Sequence, residues 1–87
     1  MPQYNQYTQR LFDILEGREK GKRYRLVDTN GNTYICYPDC WTYVTIGDDE
    51  DVDALRFIVL SENGEVSGEV TLAGQWIKEY GEINENP

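Results

Sequence analysis

The chain contains no histidine. The commonest general base and the commonest metal ligand are therefore missing, and Ser-His and Cys-His nucleophile systems are excluded. Only two cysteines occur, Cys36 and Cys40, too few for a four-ligand structural zinc site. No phosphate-cradling P-loop and no G-x-G-x-x-G turn is present. Apolar runs reach about six residues, far below the ~20 of a membrane-spanning helix. The opening Met1-Pro2-Gln3-Tyr4-Asn5 has neither the basic nor the apolar region of a secretory signal. These absences read as a cytoplasmic protein, in which a reducing environment keeps both thiols free. A Cys36–Cys40 bridge would need the Pro38 turn to bring the two Cα atoms within about 7 Å.

Positive charge is also scarce, with 8 Lys and Arg against 16 Asp and Glu, for a net charge of −8. The imbalance is uneven. Six of the bases (Arg10, Arg18, Lys20, Lys22, Arg23, Arg25) lie within residues 1–27, against three acids there. The remainder holds Arg56 and Lys78 against thirteen acids. A field of that sign repels nucleic acid and attracts basic surfaces, so direct nucleic-acid binding is disfavoured. Carboxylates are plentiful, but no feature of the sequence marks one as desolvated, and acid–base catalysis needs a shifted pKa. The chain is expected to be non-enzymatic, with no cofactor and no metal.

What is present is enough to fold. The 87 residues form one domain, 39% hydrophobic and 13% aromatic, with seven tyrosines and two tryptophans. Such amphipathic aromatics suit half-buried sheet faces and interfaces. Residues 1–3 and 82–87 read as frayed ends.

Tyr4, Tyr7, Leu11, Ile14 and Leu15 recur at helical spacing and Phe12 widens the stripe, which predicts an amphipathic helix over 4–16. Gly17 reads as a left-handed residue ending it. Two Asn-Gly pairs then organise the strands, because a type I′ turn needs φ > 0 at both central residues. Around Asn63-Gly64, Phe57 faces Val70 and Leu55 faces Leu72. One face of this hairpin collects Leu55, Phe57, Val59, Val66, Val70 and Leu72. The other collects Arg56, Ile58, Leu60, Ser67, Glu69 and Thr71, and the helix is the best candidate to cover part of it. Around Asn30-Gly31, joining strands 22–28 and 32–37, the same logic sets Leu26 against Ile35 and Tyr24 against Tyr37. That leaves Arg23, Arg25 and Tyr34 on a basic-aromatic face fit to clamp an anion. Pro38-Asp39 breaks the ladder, and 41–46 resumes as a third strand with Trp41 and Tyr43 on one side. Leu72, Trp76 and Tyr80 at i, i+4, i+8 favour a short helix, with a final strand as the alternative. The fold class is α+β: an N-terminal helix on a four- or five-stranded antiparallel sheet, curled toward a small barrel.

Asp48, Asp49, Glu50, Asp51 and Asp53 put five carboxylates within six positions. A calcium-binding EF-hand starting at Asp49 fails twice, with Ala54 where the loop needs Gly and Leu60 where it needs Glu. The run reads as a solvated loop, and as a surface able to meet a basic groove in place of nucleic-acid phosphates. In size and acidity the chain resembles the small inhibitors made by phages and mobile elements, among them anti-CRISPR proteins and uracil-DNA glycosylase inhibitors. The resemblance is one of composition, and it implies a protein that binds and blocks a basic or nucleic-acid-binding partner. Two sets of residues are candidates: the acidic run (Asp48, Asp49, Glu50, Asp51, Asp53) and the sheet face (Arg23, Arg25, Tyr34, Trp41, Tyr43). The alternatives are a small-ligand or cation-binding domain and an oligomerising subunit.

Overall fold

The structure is a computed structural model and describes residues 5–83. Helix α1 spans Gln6–Glu16, and strands β1 to β5 span Tyr24–Asp28, Thr33–Ile46, Glu50–Leu60, Val66–Ala73 and Ile77–Glu82. A single 3-10 turn, Gly74–Trp76, precedes β5. The strands form one antiparallel sheet in the order β4-β3-β2-β1-β5. Its two edge strands, β4 and β5, are not paired with each other, so the sheet is open and the barrel expected from sequence does not close. The last segment is a strand after one 3-10 turn, because β1 offers it an edge to pair with.

Asn5 caps α1, its side chain accepting from the Tyr7 and Thr8 amides at 3.0 Å each, so the helix begins at Gln6. The expectations for residues 1–4 and 84–87 lie outside the described residues. Glu82, expected to fray, is the last residue of β5 and pairs with Tyr24. Gly17 sits at φ −80°, not in the left-handed region. It is glycine for space: a Cβ there would lie 2.9 Å from the Asp13 carbonyl oxygen.

Leu11 and Ile14 of α1 press on Leu26, Cys36, Leu55, Phe57, Leu72 and Ile77 to form the main buried cluster, and Tyr24, Val27, Ala54 and Ala73 are buried beside it. The helix therefore covers the Leu55/Phe57 face of the hairpin and not the Ile58/Leu60 face. An apolar stripe buries more by docking on the more apolar side. Among the described residues no second layer covers the opposite face. There Ile35, Tyr37, Ile58 and Leu60 remain half-buried.

Neither Asn-Gly pair makes a two-residue turn. At each, only the glycine has positive φ, +87° at Gly31 and +81° at Gly64. Gly64 N–H donates to the Ser61 carbonyl and Ser61 N–H to Glu65, which closes a three-residue loop one residue longer than the I′ turn. A second irregularity between Val59 and Leu60 cancels the extra residue, and Phe57↔Val70 and Leu55↔Leu72 pair as expected. Val66 lies beyond that irregularity, pairs with Leu60, and is 65% exposed rather than on the core face.

The first hairpin has no compensating shift. Asp28 N–H donates to Asn32 and Gly31 N–H to Asp28, so Leu26 pairs with Tyr34 and Tyr24 with Cys36. Each partner is one residue from the expected register, and a one-residue slip turns every side chain of β2 to the other face. Strand β2 then runs unbroken through Pro38. Its neighbour β1 reaches no further than Cys36, and the register against β3 shifts between Pro38 and Cys40, so a residue without an N–H fits there.

The slip has a cause in Asp28, which is only 5% exposed. Its carboxylate accepts from the Asn30 and Asn32 amides at 2.9 Å each, the Asn32 side chain at 3.2 Å and the Tyr34 hydroxyl at 3.4 Å. Burial alone would raise this carboxyl. The bonds from Asn32, Asn30 and Tyr34 outweigh it and hold the pKa below 3.8. A depressed carboxyl stabilises the fold above its unfolded pKa, and the contribution fades as pH falls through the folded value. Asp28→Asn removes the charge and points amide donors at donors. Urea titrations of the two proteins should show a gap in stability that is constant above about pH 5 and shrinks below pH 4.

Candidate functional site: an acidic ribbon and a basic groove

The long β2–β3 hairpin extends past its neighbours. The last β1 pair is Tyr24↔Cys36 and the last β4 pair is Ala73↔Ala54. From Tyr43↔Asp53 to Ile46↔Glu50 the two strands pair only with each other and form a projecting ribbon. It helps to make the molecule elongated, 47 × 21 × 20 Å. The turn at its tip is Gly47-Asp48-Asp49, and Asp49 is the one non-glycine with positive φ among the described residues, at 60°. Aspartate tolerates that region better than most side chains.

The five carboxylates expected to act together are thereby divided. Asp53 is half-buried and accepts from the Thr8 hydroxyl of α1 at 3.1 Å. Asp51 accepts from Thr45 at 2.7 Å. Asp48, Asp49 and Glu50 are exposed at the tip, and no cation pairs with them among the described residues. Strand alternation sends Asp51 and Asp53 to the helix side and Glu50 to the open side. Among the described residues no three Asp, Glu or Cys side chains are gathered so as to hold a metal ion.

The second candidate set is split between the two faces of the sheet. Tyr34 faces the helix side and is tied to Asp28. Burial and the Asp28 charge raise its pKa. Trp41 packs on Phe12 of α1 with ring centroids 4.9 Å apart, and Tyr43, 66% exposed, follows it on that side. Arg25 faces the open side, opposite Ile35. The anion clamp expected from Arg23, Arg25 and Tyr34 does not form, because the register slip moves Tyr34 away and brings Tyr37 round.

The sequence reading missed a groove of about 690 Å³ that lies where that clamp was sought. The α1–β1 loop supplies Arg18, Lys20, Lys22 and Arg23, together with the acid Glu19. The first half of β2 supplies Tyr37, Pro38 and Asp39, the end of β3 Leu60, the β3–β4 turn Gly64 and the start of β4 Val66. Arg18 donates to the Asp39 carbonyl at 2.8 Å and pins the loop beside β2. Lys22 pairs with Glu82 at 3.0 Å across an exposed rim. Half of the chain's eight cations line this one groove against two acids, in a molecule of net charge −8. The signal available in sequence was the density of Lys and Arg over 18–25, but not the apolar floor that the fold brings under it.

A smaller cavity of about 300 Å³ lies between α1 and β5, lined by Arg10, Asp13, Ile14, Gly17, Tyr24 and Tyr80. Tyr80 stacks on Tyr24 at 5.1 Å, its hydroxyl has no partner among the described residues, and burial pushes its pKa well above the ordinary tyrosine value. The two cysteines lie on opposite sides of β2. Cys36 is buried in the core, where burial pushes its thiol up to about 12, whereas Cys40 is exposed, and both are free. A maleimide at neutral pH should label Cys40 alone in the folded protein and both thiols in urea, as mass spectrometry of the intact chain would show.

No protein-family model matches the chain, and no curated protein or solved structure is significantly similar to it. Among the described residues no helix is long and apolar enough to cross a membrane. The fold and the charge layout therefore carry the functional argument. They describe a two-layer α+β domain, one helix on one face of an open sheet, with an acidic projecting ribbon.

Proposed function

We propose that this is a non-enzymatic protein-binding module that grips a basic surface of its partner with the β2–β3 ribbon. The observation that carries this reading is the ribbon tip. Asp48, Asp49 and Glu50 stand clear of the body of the fold with no internal cation to satisfy them. Fixed on a paired two-stranded arm, the tip presents its charge at little cost in ordering. The small acidic inhibitors of phages and mobile elements supply the type. The partner is a basic or nucleic-acid-binding protein, and the carboxylates occupy the place of phosphates. Two free thiols fit a cytoplasmic setting. The groups with strongly displaced pKa, Cys36 and Tyr80, are buried away from the tip, and their displacement disfavours ionisation.

The test is affinity capture from a bacterial lysate with wild-type bait and with D48N/D49N/E50Q, at low salt and at about 1 M salt, where the screening length falls to about 3 Å. A single basic protein held only by wild type at low salt supports the reading. A protein held equally by both baits moves the binding surface to the open sheet face. That second reading is favoured by the half-exposed row Ile35, Tyr37, Ile58 and Leu60.

A further inference from the structure

We infer that the open face of the sheet is a two-fold dimer interface, in which the acidic ribbon tip of each copy lies over the basic groove of the other. The inference takes from the preceding reading the role of the tip as a ligand for basic surfaces, and names one such surface. Three observations carry it.

The first is the placement of charge along the open face. The groove is bounded by Leu60 and Val66 at the C-terminal end of β3, and the acidic tip joins its N-terminal end. The groove's cations lie beside Tyr37 and Asp39, level with Ile58, so about eight residues of β3 separate them from the tip at Glu50, roughly 26 Å. Positive and negative ends on one face repel when two copies are stacked parallel and attract, twice over, when they are antiparallel. Antiparallel stacking is what a two-fold axis lying in the contact plane and perpendicular to the strands produces, and such a contact is self-complementary and closed.

The second is the ground between the ends. Tyr37 and Ile58 are cross-strand partners and share the open side with Ile35 and Leu60, while Val44 and Val52 pair further out along the ribbon. All six are half-buried in the monomer. Arg56, in the middle, is paired with Glu69 at 2.9 Å and Asp39 at 3.3 Å, so its own charge is met within the copy and the cluster carries one excess negative charge. Two such faces stack as the layers of a β-sandwich do, with side chains meeting at about 10 Å spacing.

The third is size. The molecule's 47 × 21 Å outline bounds the face at roughly 1,000 Å² per copy, an upper limit that leaves room for the ~800 Å² per partner of a standard stable interface. The cost is net charge, since each copy carries −8. The pairing of opposite ends opposes that repulsion locally. One consequence follows for the partner: the dimer hides the tips, so a basic partner and a second copy compete for them, and the chain captures its partner as a monomer.

The experiment is sedimentation equilibrium of the full chain at about 100 µM and 0.1 M salt, followed by a charge exchange. Among the described residues Lys20 makes no hydrogen bond or ion pair, and Lys20 and Asp48 are both exposed, so K20E and D48K leave the folded monomer intact. Each single variant sets residues 20 and 48 of like charge against each other at both ends of its own dimer, and its mass should fall toward the monomer's 10.1 kDa. Mixed one to one, they restore an attractive pair at both ends and should return to twice that mass. A short bis-maleimide should join wild-type chains through Cys40, which lies near the middle of the open side, and should fail with either variant alone. A monomeric wild type, variants that still dimerise alone, or a mixture that stays monomeric would each overturn the inference. The lysate capture is scored separately. Ribbon-dependent capture by a monomeric protein leaves the binding reading standing without the dimer. A dimer with no ribbon-dependent capture does the reverse.

Discussion

Replacing Phe57 by alanine should cost about 3–5 kcal/mol, the largest loss expected from any single truncation in the chain. Phe57 is fully buried at the middle of β3. It pairs with Pro38 on one side and Val70 on the other, and its ring meets Tyr80 at a centroid distance of 6.0 Å. Tyr80 in turn stacks on Tyr24. Truncation therefore empties the centre of the only core and also removes the support of an aromatic row that ties β5 to β1. A single helix is the only layer over that face among the described residues, so little can move in to fill the space and most of the cavity term is felt. Against the roughly 5–15 kcal/mol that holds an average domain together, such a loss leaves a small one near its unfolding midpoint. Urea denaturation followed by tryptophan fluorescence should show the midpoint collapse for Phe57→Ala. Phe57→Leu should lose about 1.5 kcal/mol, because most of the volume stays filled. If the alanine variant lost less than about 1 kcal/mol, the core would not be where the structure puts it.

Gly74→Ala should be the most damaging substitution that adds atoms. Gly74 opens the 3-10 turn between β4 and β5 and is buried under the first turn of α1. A Cβ there would lie 2.7 Å from the Tyr7 carbonyl oxygen and 2.8 Å from the Tyr7 Cβ. Both obstacles belong to the helix close to its backbone, so no side-chain rotation clears them. The helix must lift off the turn, which strains the Asn5 cap and the bonds from Arg10 to the Ile77 and Lys78 carbonyls. Overpacking of this kind costs about 1–3 kcal/mol, and the backbone obstacle places Gly74→Ala near the top of that range. A fall in melting temperature of about 10–20 °C is expected in calorimetry, at about 4–8 °C per kcal/mol for a domain of this size. Gly68→Ala is the control: its Cβ meets nothing within 4 Å, and its melting temperature should barely move.

The acidic ribbon shows how far a run of like charge can be read. Five carboxylates in six positions are unmistakable in sequence, and so is their lack of an EF-hand pattern. Their division is not. Asp53 is drawn to Thr8, Asp51 to Thr45, and of the five only the tip carboxylates are left without a partner among the described residues. That outcome depends on where β1 and β4 stop, and a strand's end is set by its neighbours as much as by its own residues. The basic groove was half visible: the cations of the α1–β1 loop are plain, while Tyr37, Leu60 and Val66 come under them only through sheet pairing.

Local chemistry alone was enough for the helix, the positions of the turns, the α+β class and the pairs Phe57–Val70 and Leu55–Leu72. Periodicity and turn residues act over a few positions, and such signals survive any tertiary context. What the tertiary structure decided was register, coverage and closure. A buried Asp28 gathering four donors lengthened one turn by a residue, turned β2 over, and separated Tyr34 from Arg25. An irregularity at Val59/Leu60 cancelled the equivalent slip in the other hairpin. One helix, free to choose between two partly apolar faces, took the one with Leu55 and Phe57 and left Ile58 and Leu60 in the open. These choices compare the burial and hydrogen bonding of whole faces, and no stretch of the chain holds that comparison by itself.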